Sequence, residues 1–227
     1  MASSGRLGRG LSRSRILKAA LQLVDEEGLE ALSMRRLGEA LGVQAMSLYR
    51  HVKDKDDLLD GLQGAVVSEM EFPPLTGPLE ERAITWTRAL REALVRHPNT
   101  IPLFASRPVV DPEALVAVEA ALAGLTEGGL GDHAALRLYQ TMLAFALGHA
   151  VLLKTPRAPV SIAPGALEAP HLPTLRRMAE LSRDFDVEAE FEAGLRLMAA
   201  GIRSLGDDLE AEVSGFFRAP IRPGRGP

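Results

Sequence analysis

Between Leu41 and Leu62 the chain reads LGVQAMSLYRHVKDKDDLLDGL, placing Tyr49, Arg50, His51, Lys53 and Lys55 just ahead of an acid-capped apolar run. These are side chains that can grip and read nucleic acid. An arginine donates two hydrogen bonds to a guanine edge or one to a phosphate; a methionine can touch a thymine methyl, and serine and tyrosine can bond phosphate or base. Catalytic chemistry has no such constellation. There is no GxSxG elbow, phosphate loop or HExxH, and GRLGRG at 5–10 has no strand before it. The absence of cysteine excludes disulfides, thiolate metal sites and cysteine nucleophiles together, and fits a cytoplasmic protein. His133 and His149 would point about 160° apart on one helix, and no histidine pair has metal-ligand spacing. The expectation is a protein that is not an enzyme and has no cofactor or metal.

The elements that must position the basic cluster are helices. Apolar residues recur at three and four, alternating β-branched runs are missing, and aromatic content is 4%. An all-α fold follows. Ser12 caps a first helix with an apolar stripe of Ile16, Ala19, Ala20, Leu23 and Val24 that ends at Gly28. A second helix begins at Ser33, with Leu37, Ala40 and Leu41 facing inward, and Gly42 closes it with a tight turn. A short third helix spans Gln44 to about Arg50. Asp54 caps a fourth, whose buried side is Leu58, Leu59, Leu62 and Val66 and which stops before the FPP at 72–74. Later helices are expected at 79–97, 112–128, 132–154 and 187–209, with shorter pieces near 100–106 and 173–183.

The organisation expected is a disordered basic arm at 1–11, a DNA-binding domain at 12–71, a second helical domain at 72–210 and a flexible tail at 211–227. The proline-rich Glu71–Pro78 stretch marks the boundary, and five prolines make 155–173 a long loop. Net charge is −4, but it is unevenly placed: five basic and no acidic residues precede Asp25, while 16 basic face 21 acidic residues after Asp60. The nearly apolar run Met142 to Leu153 is shorter than the roughly 20 residues of a spanning helix, so no membrane partner is expected.

A helix, a glycine turn and a second short helix is the arrangement whose second helix enters the DNA major groove. With Leu48 as the anchor, Met46 and Arg50 point most nearly outward, flanked by Ser47 and Tyr49. Lys53 and Lys55 flank the start of the fourth helix, where free backbone N–H groups would also favour a phosphate. Spacing alone leaves open that these charges simply solvate a helix face.

The segment LSMRRLGEALGVQAMSLYRHVKDKDDLLDGL, from Leu32 to Leu62, closely resembles the DNA-binding domain of the TetR family. REALVRHP, the SRP at 106–108, EAALAGLTEGGL, FALGHAV and FEAGLRLMAAGI are similar to the ligand and dimerisation domain of its tetracycline repressor subgroup, so the resemblance covers nearly the whole chain. It implies a three-helix DNA-binding domain and DNA contacts from Arg35, Gln44, Ala45, Met46, Ser47, Tyr49, Arg50 and His51, with Lys55 on phosphate. It further implies a homodimer, a pseudo-palindromic double-stranded operator, and a small, largely apolar effector that releases a repressor from DNA. A ligand-independent or activating regulator, and a helical binding protein without DNA, are the alternatives. Two departures bear on specificity. The reading helix has Met46 and Arg50 where the subgroup has proline and tryptophan, and Leu103 stands where the subgroup has a histidine that ligates the drug-bound metal.

Within the second domain that the resemblance implies, Trp86, Leu90, Leu103, Phe104, Tyr139, Met142, Phe145 and His149 are the pocket candidates, being mostly apolar with a few polar groups, and Met178 is a cover for it. Arg107 is read as structural. Leu136, Leu143, Leu147, Ala150 and Val151 on one helix, and Phe191, Leu195, Met198, Ala199 and Ile202 on another, are assigned to the dimer interface by the resemblance.

Overall fold

The computed structural model describes residues 10–70, 77–154, 171–181 and 186–205. Nearly all of the expected basic arm, most of the Glu71–Pro78 boundary, the 155–173 loop up to residue 170, and the 211–227 tail lie outside the described residues. Ten α-helices are present among them: α1 Arg13–Glu27, α2 Met34–Leu41, α3 Ala45–Leu48, α4 Lys55–Ser68, α5 Leu79–Arg96, α6 Ile101–Ser106, α7 Pro112–Glu127, α8 Asp132–Lys154, α9 Pro173–Leu181 and α10 Val187–Leu205. The fold is all-α, as expected.

The chain forms two compact units. One comprises Met1–Met70 with Glu92–Val118, the other Glu71–Arg91 with Glu119–Pro227. In the first, local chemistry sets the helix starts. The Ser12 hydroxyl accepts from the Arg15 amide at 3.3 Å, Ser33 from Arg36 at 3.3 Å, and the Asp54 carboxylate from Asp57 at 2.9 Å. Such caps contribute about 1 kcal/mol each. Ile16, Ala20, Val24, Leu37, Leu48, Leu58, Leu62 and Val66 form the core, all fully buried. Ala19 and Leu59 are only half-buried, and Leu17 and Leu21 join the core instead.

Ala40 differs from its expected inward placement: it is exposed, and Gly38 is buried in its stead. A Cβ at position 38 would lie 2.9 Å from the Val43 carbonyl oxygen, so the turn after α2 packs directly on the helix backbone there. Rotating Gly38 inward carries Ala40 out.

The last turn of α5, α6 and the start of α7 are tied to α4 by polar contacts. Buried Gln63 donates to the Leu103 carbonyl at 3.0 Å, and Arg107 reaches Asp60 at 2.8 Å and Asp56 at 3.2 Å. Arg107 is thus structural, pairing with side chains of α4. His97 sits between two carboxylates, with Nδ1 2.8 Å from Asp25 and Nε2 2.9 Å from Glu69, joining α1, the end of α4 and the end of α5.

The second unit has its own core. Phe191 stacks on Phe145 with centroids 5.2 Å apart, and the Arg91 guanidinium lies over the Phe191 ring at 4.6 Å. Phe191, Leu195, Ala199 and Ile202 are all buried here, inside the same chain. The interface assigned to this α10 stripe is therefore corrected. The outward side of α10 carries Leu197, 75% exposed, and the outward side of α8 carries Leu136, Val151 and Leu152.

His149 explains how polar groups are accommodated in this core. Arg91 Nε donates to its Nδ1 at 3.1 Å, and its Nε2 lies 2.9 Å from the Val187 carbonyl, so the neutral ring protonated on Nε2 satisfies both contacts. Burial pushes the His149 pKa below its ordinary value; the Val187 carbonyl opposes this and Arg91 reinforces it. The unfolded chain then binds the proton more readily. Stability is complete above the ordinary histidine pKa of about 6.5 and falls as the pH drops below it. The thermal midpoint should decrease between pH 7.5 and 5.5, and His149→Gln, scanned over the same range, should show a smaller decrease.

At 23 residues α8 is long and apolar enough, by length and composition alone, to cross a membrane, which the shorter run Met142–Leu153 did not suggest. The helix continues N-terminally through Asp132, His133 and Arg137. One third of its most apolar window is buried within the protein.

Candidate nucleic-acid interface

The reading element is smaller than its sequence suggested. α3 is a single turn, Ala45–Leu48, and Tyr49 to His51 continue as turns instead of helix. The Ser47 amide donates to Gln44, and the His51 and Val52 amides both turn back to the Leu48 carbonyl, so the backbone tightens after one α-turn. Gly42, with φ of 68°, takes the left-handed conformation that lets α3 follow α2 so closely.

Leu48 is fully buried and fixes the rotation of α3. Opposite it, Met46 is 73% exposed and Tyr49 46%, with Gln44 and Arg50 exposed and Ala45, Ser47 and His51 half-buried. Arg35, on α2, is exposed and held by Glu39 at 2.5 Å. Lys53 and Lys55 are exposed beside α4.

The start of α4 differs from its expected chemistry. The amide of Asp57 is taken by Asp54, and that of Lys53 by the Asp57 carboxylate at 2.7 Å, so free N–H groups do not supply a phosphate site there. The lysine side chains remain. Asp57 is itself gripped by Arg13 through two bonds of 2.8 and 2.9 Å, and this guanidinium holds the carboxyl below the usual carboxylate range. Arg13 had been read with the basic N-terminal stretch. Its role as a cross-strut between α1 and α4 depends on a partner 44 residues away, and no local signal announces that.

A cleft of about 500 Å³ lies beside this region, lined by Arg13, Lys53, Asp54, Asp56, Asp57, Asp60, Val110, Asp111 and Pro112. None of the nine expected effector contacts lines it. Of those nine, Leu103 and Phe104 belong to the first unit, and Leu103 is buried beneath the Gln63 contact. Trp86, Leu90, Tyr139, Met142, Phe145 and His149 belong to the second. Trp86, Leu90, Met142 and His149 are buried, Tyr139 and Phe145 half-buried, and Met178 is exposed on α9. Both ring nitrogens of His149 are committed within the protein. Among the described residues no three His, Asp or Glu side chains are grouped to hold a metal, and with Leu103 in place of a histidine the residues present do not fit a metal-chelated drug.

Helices α1 to α4, with α3 presented outward across a glycine turn from α2, define a helix-turn-helix regulator joined to a second helical unit. Comparison with known proteins agrees. Residues 16–62 match the family described as bacterial regulatory proteins, tetR family, and residues 73–205 match the tetracyclin repressor-like C-terminal domain. The chain belongs to the TetR family. It is 38% identical over 122 residues to an HTH-type transcriptional regulator of Saccharopolyspora erythraea, covering 53% of this chain and about half, 52%, of that relative. It is 29% identical over 196 residues to the class A tetracycline repressor of transposon 1721 from Escherichia coli, covering 85% and 90% of the two chains. The crystal structure of the Streptomyces coelicolor TetR family protein ActR in complex with actinorhodin is 31% identical, with a TM-score of 0.72 over 86% of this chain and 98% of that one.

Proposed function

We propose that the protein is a cytoplasmic, homodimeric repressor that binds a pseudo-palindromic operator with one α3 per half-site and leaves it when a small, largely apolar effector binds. The observation that carries this reading is the outward face of α3, where exposed Met46, Tyr49 and Arg50 stand opposite the buried anchor Leu48. Apolar groups left in water on a short cationic element are suited to thymine methyls and base edges. Gln44, Ala45, Ser47 and His51 complete that surface, Arg35 reaches it from α2, and Lys53 and Lys55 hold the flanking phosphates. Residues 12–71 are assigned the DNA-binding role and 72–210 ligand binding and dimerisation. Exposed Leu136, Val151, Leu152 and Leu197 supply apolar surface for the dimer. ActR bound to actinorhodin supports a small-molecule effector, and the tetracycline repressor supports the sign of regulation.

Release acts through α4. Gln63 and Arg107 fasten α4 to the 92–118 segment, so a ligand favouring a different placement of that segment moves α4, and with it the spacing of the two reading helices. A coupling of about 1–3 kcal/mol weakens DNA binding roughly 5- to 150-fold. The test is selection of bound duplexes from a random pool, then affinity for the winner against scrambled DNA at fixed salt. A palindromic winner whose affinity falls on addition of a pocket-binding ligand is the expected result. A folded dimer that enriches no sequence overturns the reading.

A further inference from the structure

Within the second unit, Trp86 on α5 is 4% exposed, and its indole N–H meets no acceptor. A buried donor left unpaired costs about 1–3 kcal/mol, and native proteins seldom tolerate one without a reason. The aromatic ring of Tyr139 on α8 stands 5.1 Å from the Trp86 ring at 57°, and burial pushes the Tyr139 phenol up in pKa, so it stays uncharged. Buried Leu90 lies one helical turn along α5 from Trp86, and Met142 one turn along α8 from Tyr139, so the neighbourhood is apolar. The buried cation of α5, Arg91, is already matched by Glu188 and stacked on Phe191. It leaves no uncompensated charge to attract an anionic ligand.

From this juxtaposition we infer that Trp86 is the hydrogen-bond donor of an effector subsite whose ligand is an uncharged, flat aromatic molecule presenting a carbonyl oxygen, its ring system packed against Tyr139. The inference rests on the proposed ligand-binding role of this unit and adds the chemical class. A carbonyl oxygen accepts the indole hydrogen without carrying charge into an apolar site, where a carboxylate or phosphate would be strongly disfavoured. Aromatic surface beside Tyr139 gains the offset or edge-to-face packing that rings prefer. Recognition here requires no metal bridge.

Trp86 is the one tryptophan of the chain, so its fluorescence reports this position alone. The probes are 9-fluorenone and fluorene, which have nearly the same shape and differ in a carbonyl against a methylene. Equilibrium dialysis against the full-length protein gives both affinities, and the ratio is then remeasured with Trp86→Phe, which keeps a ring and removes the donor. The intact protein should prefer fluorenone, with quenching of Trp86, and Trp86→Phe should reduce the ratio of affinities about 3- to 10-fold while fluorene binding changes little. Circular dichroism and a native mass measurement confirm that the variant folds and assembles. If Trp86→Phe does not fold, Trp86→5-fluorotryptophan in the intact protein takes its place: the ¹⁹F resonance should shift with fluorenone and not with fluorene. Binding of neither probe, equal ratios in the two proteins, or the same ¹⁹F shift with both probes overturns the inference. Operator affinity is measured separately. A protein that shows the carbonyl preference but binds no DNA sequence would refute the regulator reading and leave this subsite standing.

Discussion

Arg50→Ala should lower affinity for the selected operator by roughly 30-fold or more at fixed salt, with the fold and dimer intact. The side chain is exposed just beyond α3, so its removal leaves no cavity. A bidentate contact to guanine is worth about 1–3 kcal/mol of discrimination, and a homodimer makes it twice. The pattern of loss identifies the contact. If the loss is confined to duplexes with the preferred base at one position in each half-site, Arg50 reads a base. If it is uniform across sequences and the slope of log affinity against log salt drops by about 0.9 per contact, Arg50 holds a phosphate. Unchanged affinity would show that α3 does not face DNA.

The second large effect concerns stability. Phe191→Ala should destabilise the chain by about 3–5 kcal/mol, the usual range for deleting a buried phenylalanine. The ring is 1% exposed, stacks on Phe145, packs within 4.7 Å of His149 and lies beneath Arg91. Chemical denaturation of the wild type and variant, with protein concentration held constant, measures the difference. A variant that keeps its stability but dissociates into folded monomers would return this stripe to the dimer interface, where the family resemblance first put it.

That stripe shows how far a sequence can be read. The 3.6-residue periodicity of Phe191, Leu195, Ala199 and Ile202 establishes an amphipathic helix, but it says only that this face is covered. Whether Phe145 of the same chain or a second copy covers it depends on where α8 lies. Ala40 shows the same limit on a smaller scale. An apolar residue at the right spacing reads as buried until the close approach of the Val43 carbonyl selects Gly38 for that place. Similarly, α3 was read to Arg50 because nothing in its sequence forbids another turn, while the contacts that end it are formed by its surroundings.

The sequence by itself determined the all-α class, the starts of α1, α2 and α4 through Ser12, Ser33 and Asp54, the glycine turn at Gly42, and the outward placing of Met46, Tyr49 and Arg50. These depend on hydrogen bonds and rotations within a few residues, where spacing is already geometry. Only the tertiary structure decided that Arg13 grips Asp57, that His97 bridges Asp25 and Glu69, that His149 is satisfied by Arg91 across 58 residues, and that Trp86 is left with a buried, unpaired donor. Those outcomes belong to pairs of groups brought together by packing. A one-dimensional pattern carries each partner's chemistry but not the distance between them.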